Sequence, residues 1–178
     1  NISQVRDRVG NQVRDLLHKH DLLAEMISKY NDLVDEVLTD MQSPYEDTKL
    51  SAILTAIMME TGIRPGSQKI GKTVRKDSQG NVVEEIATFG ASSLRPAHIE
   101  EFREDFVAIR FMGKSGVENV AELSNSEIIG ALTPYIEKAS EEVTLGTGDP
   151  ESQLPIFRGL EGFIYDYNYL RRYIKSKL

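Results

Sequence analysis

The sequence predicts a mainly helical α+β domain with a small antiparallel sheet of roughly three strands. Helices are indicated by apolar residues that recur at three- and four-residue steps over the first 41 positions. A second helix is indicated from Asp47 to Thr61, where apolar residues surround most of the helical circumference. The sheet is indicated by two runs of strand character, FVAIRFM and VENVAEL, joined by the turn sequence GKSG.

The amphipathic pattern at the start of the chain runs from Ile2 to about Met41, which fits one long helix or two consecutive helices. Ser43 and Pro44 then supply turn and helix-start chemistry. We therefore expect residues 1–46 to form an N-terminal helical segment and residues 47–178 to form the core of the domain.

The middle of the chain is predicted to hold the central helix and the sheet. Gly62 is the expected C-terminal cap of the helix that ends at Thr61. The following stretch is polar, and KDSQGN within it is typical of an exposed turn. HIEEF is expected to form the third strand of the sheet. Because Gly113 and Gly116 bound the turn GKSG, Lys114 is expected at the tip of a hairpin that reaches away from the domain.

Two further helices are predicted after the sheet. SNSE, from Ser124 to Glu127, has the spacing of a capping box and begins the first of them. Pro134 lies inside this helix, so a kink or a restart is expected there. LPIFRGLEG is expected to be a short apolar segment closed by a turn, and YDYNYLRRYIKSKL a final aromatic and basic helix.

Composition limits the classes of protein to which the chain can belong. Its 178 residues, 40% of them hydrophobic, suit one compact domain. It has no cysteine, so a disulfide framework, a thiolate metal site and a cysteine nucleophile are excluded. No apolar run is long enough to span a membrane, and the opening NISQVRDRVG lacks the layout of a secretory signal. We therefore expect a soluble, intracellular protein.

The charge distribution restricts how the chain can bind nucleic acid. A net charge of −7 argues against coating DNA by bulk electrostatics, so DNA binding has to rest on local basic clusters. Two such clusters are present, although either is also typical of an ordinary solvated face. They consist of Lys69, Lys72, Arg75 and Lys76, and of Arg171, Arg172, Lys175 and Lys177.

Two cationic residues at turns suggest phosphate chemistry. Arg64 lies between Gly62 and Pro65 at the end of the central helix, and Lys114 lies in the hairpin turn. A fixed guanidinium contacts two oxygens of a phosphate, and a mobile ammonium donates a proton to a leaving oxygen. The pair therefore suits phosphoryl transfer on a phosphodiester without a metal ion.

The order of four motifs resembles the catalytic domain of type IB DNA topoisomerases, which share a fold with tyrosine recombinases. The resemblance covers about Thr48 to the C-terminus, and its most specific part is the pair FGASSLRPAHI and FMGKSG. The four motifs in chain order are TGIRPGS, FGASSLRPAHI, FVAIRFMGKSGVENV and LPIFRGLEG.

The resemblance implies transient single-strand breakage and rejoining of duplex DNA through a 3′-phosphotyrosyl intermediate. Arg64 would stabilise the transition state and Lys114 would protonate the departing 5′ oxygen. Neither a metal ion nor a nucleotide cofactor is implied, and the expected partner of the monomeric protein is duplex DNA, in a nucleoid, a nucleus or a virus. The residues expected to contact DNA are Lys69, Lys72, Arg75, Lys76, Ser92, Ser93 and Arg95; the two serines fit a turn-capping role equally well.

The sequence departs from the family pattern in two places. Gln68 stands where the family usually has an acidic residue. The family's second arginine, a histidine and the nucleophilic tyrosine are expected beyond Leu178, which would make the chain a piece of a longer enzyme. A rival alignment places the second arginine at Arg158 and the nucleophile at one of four tyrosines, but packing is the preferred explanation of these tyrosines. These tyrosines are Tyr165, Tyr167, Tyr169 and Tyr173.

Two other functions fit the same sequence. A site-specific tyrosine recombinase would use the same fold, and a non-catalytic DNA-binding or interaction module would use neither cation for catalysis.

No metal site is predicted, because His18 and His20 have no partner at ligand spacing and the acidic residues flank loops where solvation is expected.

Overall fold

The computed structural model describes residues 4, 6–8 and 22–178, and within them it shows an α+β fold with two small antiparallel sheets. The sequence predicted the fold class and the larger sheet. The predicted helical segment before Leu22 falls largely outside the described residues, as do His18 and His20. The elements are α1 (Leu22–Asp40), α2 (Glu46–Thr61), β1 (Gly71–Lys76), β2 (Val82–Thr88), β3 (Ile99–Arg103), β4 (Phe106–Gly113), β5 (Val117–Leu123), α3 (Ser126–Glu142) and α4 (Tyr167–Lys177).

Helix α2 is the central element of the core, as predicted. Every residue from 50 to 57 is buried, because α1, α3, α4 and strand β5 all pack against it. The helix ends at Gly62, whose φ of 77° is in the left-handed region and whose N–H donates to the Met58 carbonyl at 2.8 Å. Helix α1 adds Leu33, Val34 and Val37 to the same hydrophobic core, and Met41 in the turn after it also belongs to this core.

The larger sheet has the strand order β3-β4-β5, with all pairs antiparallel. Val107, Ile109 and Phe111 of β4 face the core, as the alternation of the sequence FVAIRFM requires. On the opposite face Arg110 donates to Glu100 at 2.6 Å and to Glu118 at 2.8 Å, so its charge is matched by one carboxylate from each neighbouring strand. The three predicted strands are therefore confirmed.

The second sheet, a hairpin of β1 and β2, was not predicted. The sequence predicts only its turn. In that turn Asp77 Oδ1 accepts from the N–H groups of Gln79 and Asn81, both at 2.9 Å. The strands pair Arg75 with Glu84, which form an ion pair of 2.9 Å. Both faces of most of this hairpin are exposed, so the sequence carries no alternation of apolar and polar residues.

Helix α3 differs from its prediction at its N-cap and continues through Pro134. Its N-cap is Asn125 and not Ser124: the Asn125 side chain accepts from the N–H groups of Glu127 at 3.0 Å and Ile128 at 3.1 Å. Of the kink or restart expected at Pro134, the restart is absent, because the helix continues to Glu142. Because Pro134 has no N–H, the Gly130 carbonyl loses its usual helical partner. Both residues are exposed, so water can donate to that carbonyl instead.

The C-terminal helix α4 is anchored to α1 and α2 by polar contacts as well as by the buried Leu170. The Tyr173 hydroxyl donates to Asp40 at 2.7 Å, and Lys177 forms an ion pair with the same carboxylate at 2.9 Å. The Tyr165 hydroxyl, just before α4, donates to Asp47 on α2. The aromatic face of α4 therefore packs inward, while much of its basic face remains exposed.

Candidate functional site

The turn that carries Arg64 is fixed by its backbone. The Ala91 N–H donates to the Arg64 carbonyl at 2.8 Å, and Gly90 lies directly against the same turn. A Cβ on Gly90 would lie 2.4 Å from the Pro65 carbonyl oxygen and 2.7 Å from that of Arg64. Because Ile63 is buried on one side and Arg64 is exposed, the turn holds the guanidinium outward from a rigid base.

Replacing Gly90 by alanine is expected to destabilise the protein by about 1–3 kcal/mol, because the new methyl group would force backbone atoms of the Arg64 turn to move. The matched control is Gly130→Ala in α3, where a Cβ meets nothing within 4 Å and alanine should be neutral or stabilising by up to about 1 kcal/mol. Urea unfolding of both variants measures the difference. Equal stability of Gly90→Ala and the unmodified protein would contradict the close approach.

The turn that carries Lys114 is also well supported. Ser115 and Gly116 both have left-handed backbone angles, with φ of 66° and 72°, which place Lys114 at the exposed tip between β4 and β5. The tip packs against the β1–β2 hairpin: a Cβ on Gly116 would lie 3.5 Å from Thr73 Cγ2 and 3.6 Å from Ile86 Cδ1. The expected free-standing tip is thus supported by the second sheet.

The fold brings Arg64 and Lys114 together. Both line one open depression of about 440 Å³, which we call the Arg64–Lys114 pocket. Its floor includes Phe89, whose N–H donates to the Met112 carbonyl at 2.8 Å and so ties the segment after β2 to β4. The lining residues are Gly62, Arg64, Phe89, Gly113, Lys114, Ser115, Val117 and Asn119.

The Arg64–Lys114 pocket has the charge and the donors of an anion-binding site. Its lining contains two cationic side chains and no carboxylate, although the protein as a whole carries a net charge of −7. Within the part of the chain that the structure describes, neither Arg64 nor Lys114 forms an ion pair or a side-chain hydrogen bond. Both charges therefore remain available to an oxyanion, and the Ser115 hydroxyl at the rim is a further donor.

The predicted basic cluster on and before β1 is exposed but lies outside the pocket lining. Lys72 is 3.7 Å from Glu85 and 4.0 Å from Glu151, and Arg75 is paired with Glu84. Lys69 and Lys76 form no ion pair with any residue in the described ranges. Because exposed ion pairs are weak, Lys72 and Arg75 can exchange these partners for a phosphate. Contact of the four residues with DNA stays a prediction.

Ser92, Ser93 and Arg95 do not fit the expected contact with DNA phosphates, because all three are buried and bonded internally. The Ser92 hydroxyl donates to the Tyr165 carbonyl, and the Ser93 hydroxyl accepts from the Gly90 N–H at 2.9 Å. The Arg95 guanidinium donates to the carbonyls of Ser93 and Gln153, and its burial lowers its pKa. These residues support the Arg64 turn from the interior of the protein. For the two serines, this agrees with the turn-capping role that the sequence left open.

His98 also belongs to this internal support. Its Nδ1 accepts from the Arg95 N–H at 2.9 Å, and its ring packs edge-on against Phe89 with centroids 4.5 Å apart. Burial, with a smaller contribution from the Arg95 charge, lowers the pKa of His98 to about 4. The imidazole is therefore uncharged at neutral pH and serves to position Phe89 under the pocket.

Gln68 does not orient the Arg64 side chain. Its amide donates to the Ile164 carbonyl at 2.7 Å and to Asp166 at 3.3 Å. The Tyr167 N–H donates in turn to the Gly66 carbonyl at 3.1 Å. The Gln68 amide therefore attaches the Arg64 turn to the segment before α4.

Arg158 and the four tyrosines of the rival alignment lie outside the Arg64–Lys114 pocket. Arg158 donates to the Pro155 carbonyl at 2.7 Å and lies 3.7 Å from Glu142, and it does not line the Arg64–Lys114 pocket. Burial, together with hydrogen bonds to Asp47 and Asp40, raises the pKa of the Tyr165 and Tyr173 phenols. No tyrosine between residues 22 and 178 lines the pocket, so these residues do not supply a nucleophile beside Arg64.

Among the described residues, no group of three or more His, Asp and Glu side chains is arranged to hold a metal ion. None of the described helices combines the length and the apolar composition needed to cross a membrane. In comparisons with protein-family models and with curated proteins, the chain gives no match.

Proposed function

We propose that the chain provides the arginine and the lysine of a type IB topoisomerase-like enzyme, an intracellular monomer that breaks and rejoins one strand of duplex DNA. The observation that carries the proposal is the Arg64–Lys114 pocket. Two cations 50 positions apart in the sequence line it, and no carboxylate does. Three of the four motifs that resemble this family supply all the lining residues of the pocket, and the fourth, LPIFRGLEG, supplies none.

The chemistry assigned to the pocket is transfer of a phosphoryl group from a 5′ oxygen to a tyrosine. The tyrosine oxygen attacks phosphorus as its hydroxyl proton passes to water, and the bond between phosphorus and the 5′ oxygen breaks. Arg64 donates to the non-bridging oxygens, which gain charge in the transition state, and Lys114 gives a proton to the departing 5′ oxygen. Rejoining is the reverse, with Lys114 taking that proton back.

Relaxation of a supercoiled plasmid by the full protein to which this chain belongs tests the proposal. With EDTA present and no nucleotide added, we expect relaxation and a covalent complex in which a DNA 3′ phosphate is joined to a tyrosine. No relaxation, or relaxation only with a divalent cation and ATP, would contradict it. Strand exchange that requires two matching sites, without relaxation of unrelated plasmids, would indicate a recombinase instead.

A non-catalytic DNA-binding module is the second candidate. It is favoured by one observation: none of the tyrosines in residues 22–178 lines the Arg64–Lys114 pocket. Such a module would bind duplex DNA through the same two cations and would leave supercoils unchanged. The plasmid assay therefore separates it from the enzyme.

A further inference from the structure

A second cationic depression lies beside helix α4, outside the Arg64–Lys114 pocket. It has a volume of about 590 Å³, and we call it the α4 cleft. Its cationic lining consists of Arg171, Arg172 and Lys175, and its other walls include Phe163 and Gln68. The side chains at 171 and 175 are one helical turn apart and share a face of α4.

The three cations of the α4 cleft lack acidic partners. Within residues 22–178, none of Arg171, Arg172 and Lys175 forms an ion pair, whereas Lys177 on the same helix is paired with Asp40. One acid, Asp166, lines the cleft, and its two oxygens already accept from the Tyr169 N–H at 3.0 Å and from Gln68 at 3.3 Å. The cleft therefore concentrates positive charge on an acidic protein.

An exposed aromatic ring borders the same cations. Phe163 is 45% exposed, although its ring is held edge-on by Tyr165 and Tyr169, with centroids 4.9 Å and 5.5 Å away. Arg172 lies over the Tyr169 ring at 5.6 Å, which fixes the guanidinium at the cleft wall. The cleft therefore offers a partly exposed apolar ring next to unpaired cations that attract phosphate oxygens.

The α4 cleft is attached to the turn that carries Arg64. Gln68 lines the cleft, and its amide holds the Ile164 carbonyl at 2.7 Å. Gly66, two residues after Arg64, accepts from the Tyr167 N–H at 3.1 Å. A short stretch of backbone therefore links the two cationic sites.

We propose that the α4 cleft binds a backbone phosphate of the same duplex whose scissile phosphate occupies the Arg64–Lys114 pocket. The inference rests on the proposed function, because it assumes a DNA substrate. Arg171 and Lys175 contact the phosphate oxygens, and Phe163 packs against the adjoining sugar. The contact fixes the position of the duplex and carries no sequence preference.

Equilibrium binding of a fluorescein-labelled duplex to the 178-residue chain over a range of NaCl concentrations tests the inference. The double variant Arg171→Gln/Lys175→Gln should bind more weakly, with a slope of log K against log [salt] that is smaller by about 2, since each lost phosphate contact removes about one unit. The matched control is Arg103→Gln/Lys138→Gln, which removes two exposed positive charges away from the cleft and should keep the original slope. Circular dichroism and thermal melting check that both variants are folded.

The outcomes separate the inference from the proposed function. If the unmodified chain binds duplex DNA and the cleft variant retains its affinity and slope, the inference is overturned and the proposed function stands. An equal loss in the control variant would also overturn the inference, because the effect would then come from total charge. If the unmodified chain binds no duplex even at low salt, both proposals fail.

Discussion

Replacing Arg64 by alanine is expected to slow DNA cleavage by the full protein about 100- to 1,000-fold, the cost of removing one preorganised donor from a developing oxyanion. The expectation depends on two features of the turn: its backbone is fixed by Gly90 and Ala91, and its guanidinium is exposed at the Arg64–Lys114 pocket. Single-turnover cleavage of a duplex oligonucleotide, measured at saturating protein, reports the loss in the chemical step.

Two further variants make the Arg64 result specific. Arg64→Lys should remain strongly impaired, because an ammonium cannot contact two phosphate oxygens in the way that a planar guanidinium does. Arg103→Ala removes an exposed arginine that is already paired with Glu101 at 3.2 Å and lies outside the pocket lining, so its cleavage rate should stay close to normal. A normal rate for Arg64→Ala would refute the assigned role.

Replacing Lys114 by alanine is expected to slow cleavage about 100- to 10,000-fold, the range for loss of a positioned general acid. An alkoxide is a poor leaving group, so the 5′ oxygen needs a proton as its bond to phosphorus breaks. Lys114 is placed for this transfer by the left-handed angles of Ser115 and Gly116 and by the contact of its turn with the β1–β2 hairpin. The same single-turnover assay measures the loss.

Changing the leaving group distinguishes a proton donor from a simple positive charge. A duplex with sulfur in place of the 5′ bridging oxygen releases a thiolate, and since a thiol has a pKa near 8.5 it needs no acid to leave. Lys114→Ala should therefore cleave this substrate at nearly the normal rate, whereas Arg64→Ala should stay slow on both substrates. Lys138→Ala, a control on α3, should be normal on both. Equal slowing of Lys114→Ala on the two substrates would contradict a role as acid.

The elements that sequence predicted well are those with one dominant signal. Helix α2 is apolar around its circumference and is followed by Gly62, so burial and a left-handed cap both specify it. The alternation of FVAIRFM and the glycines of GKSG similarly specify the β4–β5 hairpin and the position of Lys114. The meeting of Arg64 and Lys114 at one pocket was expected from the chemistry of the two residues and from the family resemblance.

The sequence did not predict the burial of Arg95 or the strands β1 and β2, because several structures fit the same residue types. Arg95 resembles a surface cation in the sequence, but the carbonyls of Ser93 and Gln153 satisfy it in the interior, and Gln153 is distant in the sequence. The exposed strands β1 and β2 are held by cross-strand charge pairs and carry no apolar alternation. The support of the Lys114 turn by this hairpin has no local signal, because it depends on the tertiary arrangement of two sheets.

A crystal structure of the chain bound to duplex DNA is the most direct test that Arg64 and Lys114 act on one phosphorus atom. We expect both side chains to contact the same phosphodiester, with the guanidinium on its non-bridging oxygens and the Lys114 ammonium on its 5′ bridging oxygen. If the two side chains contacted different phosphates, or if the DNA left the Arg64–Lys114 pocket unoccupied, the proposed chemistry would be wrong.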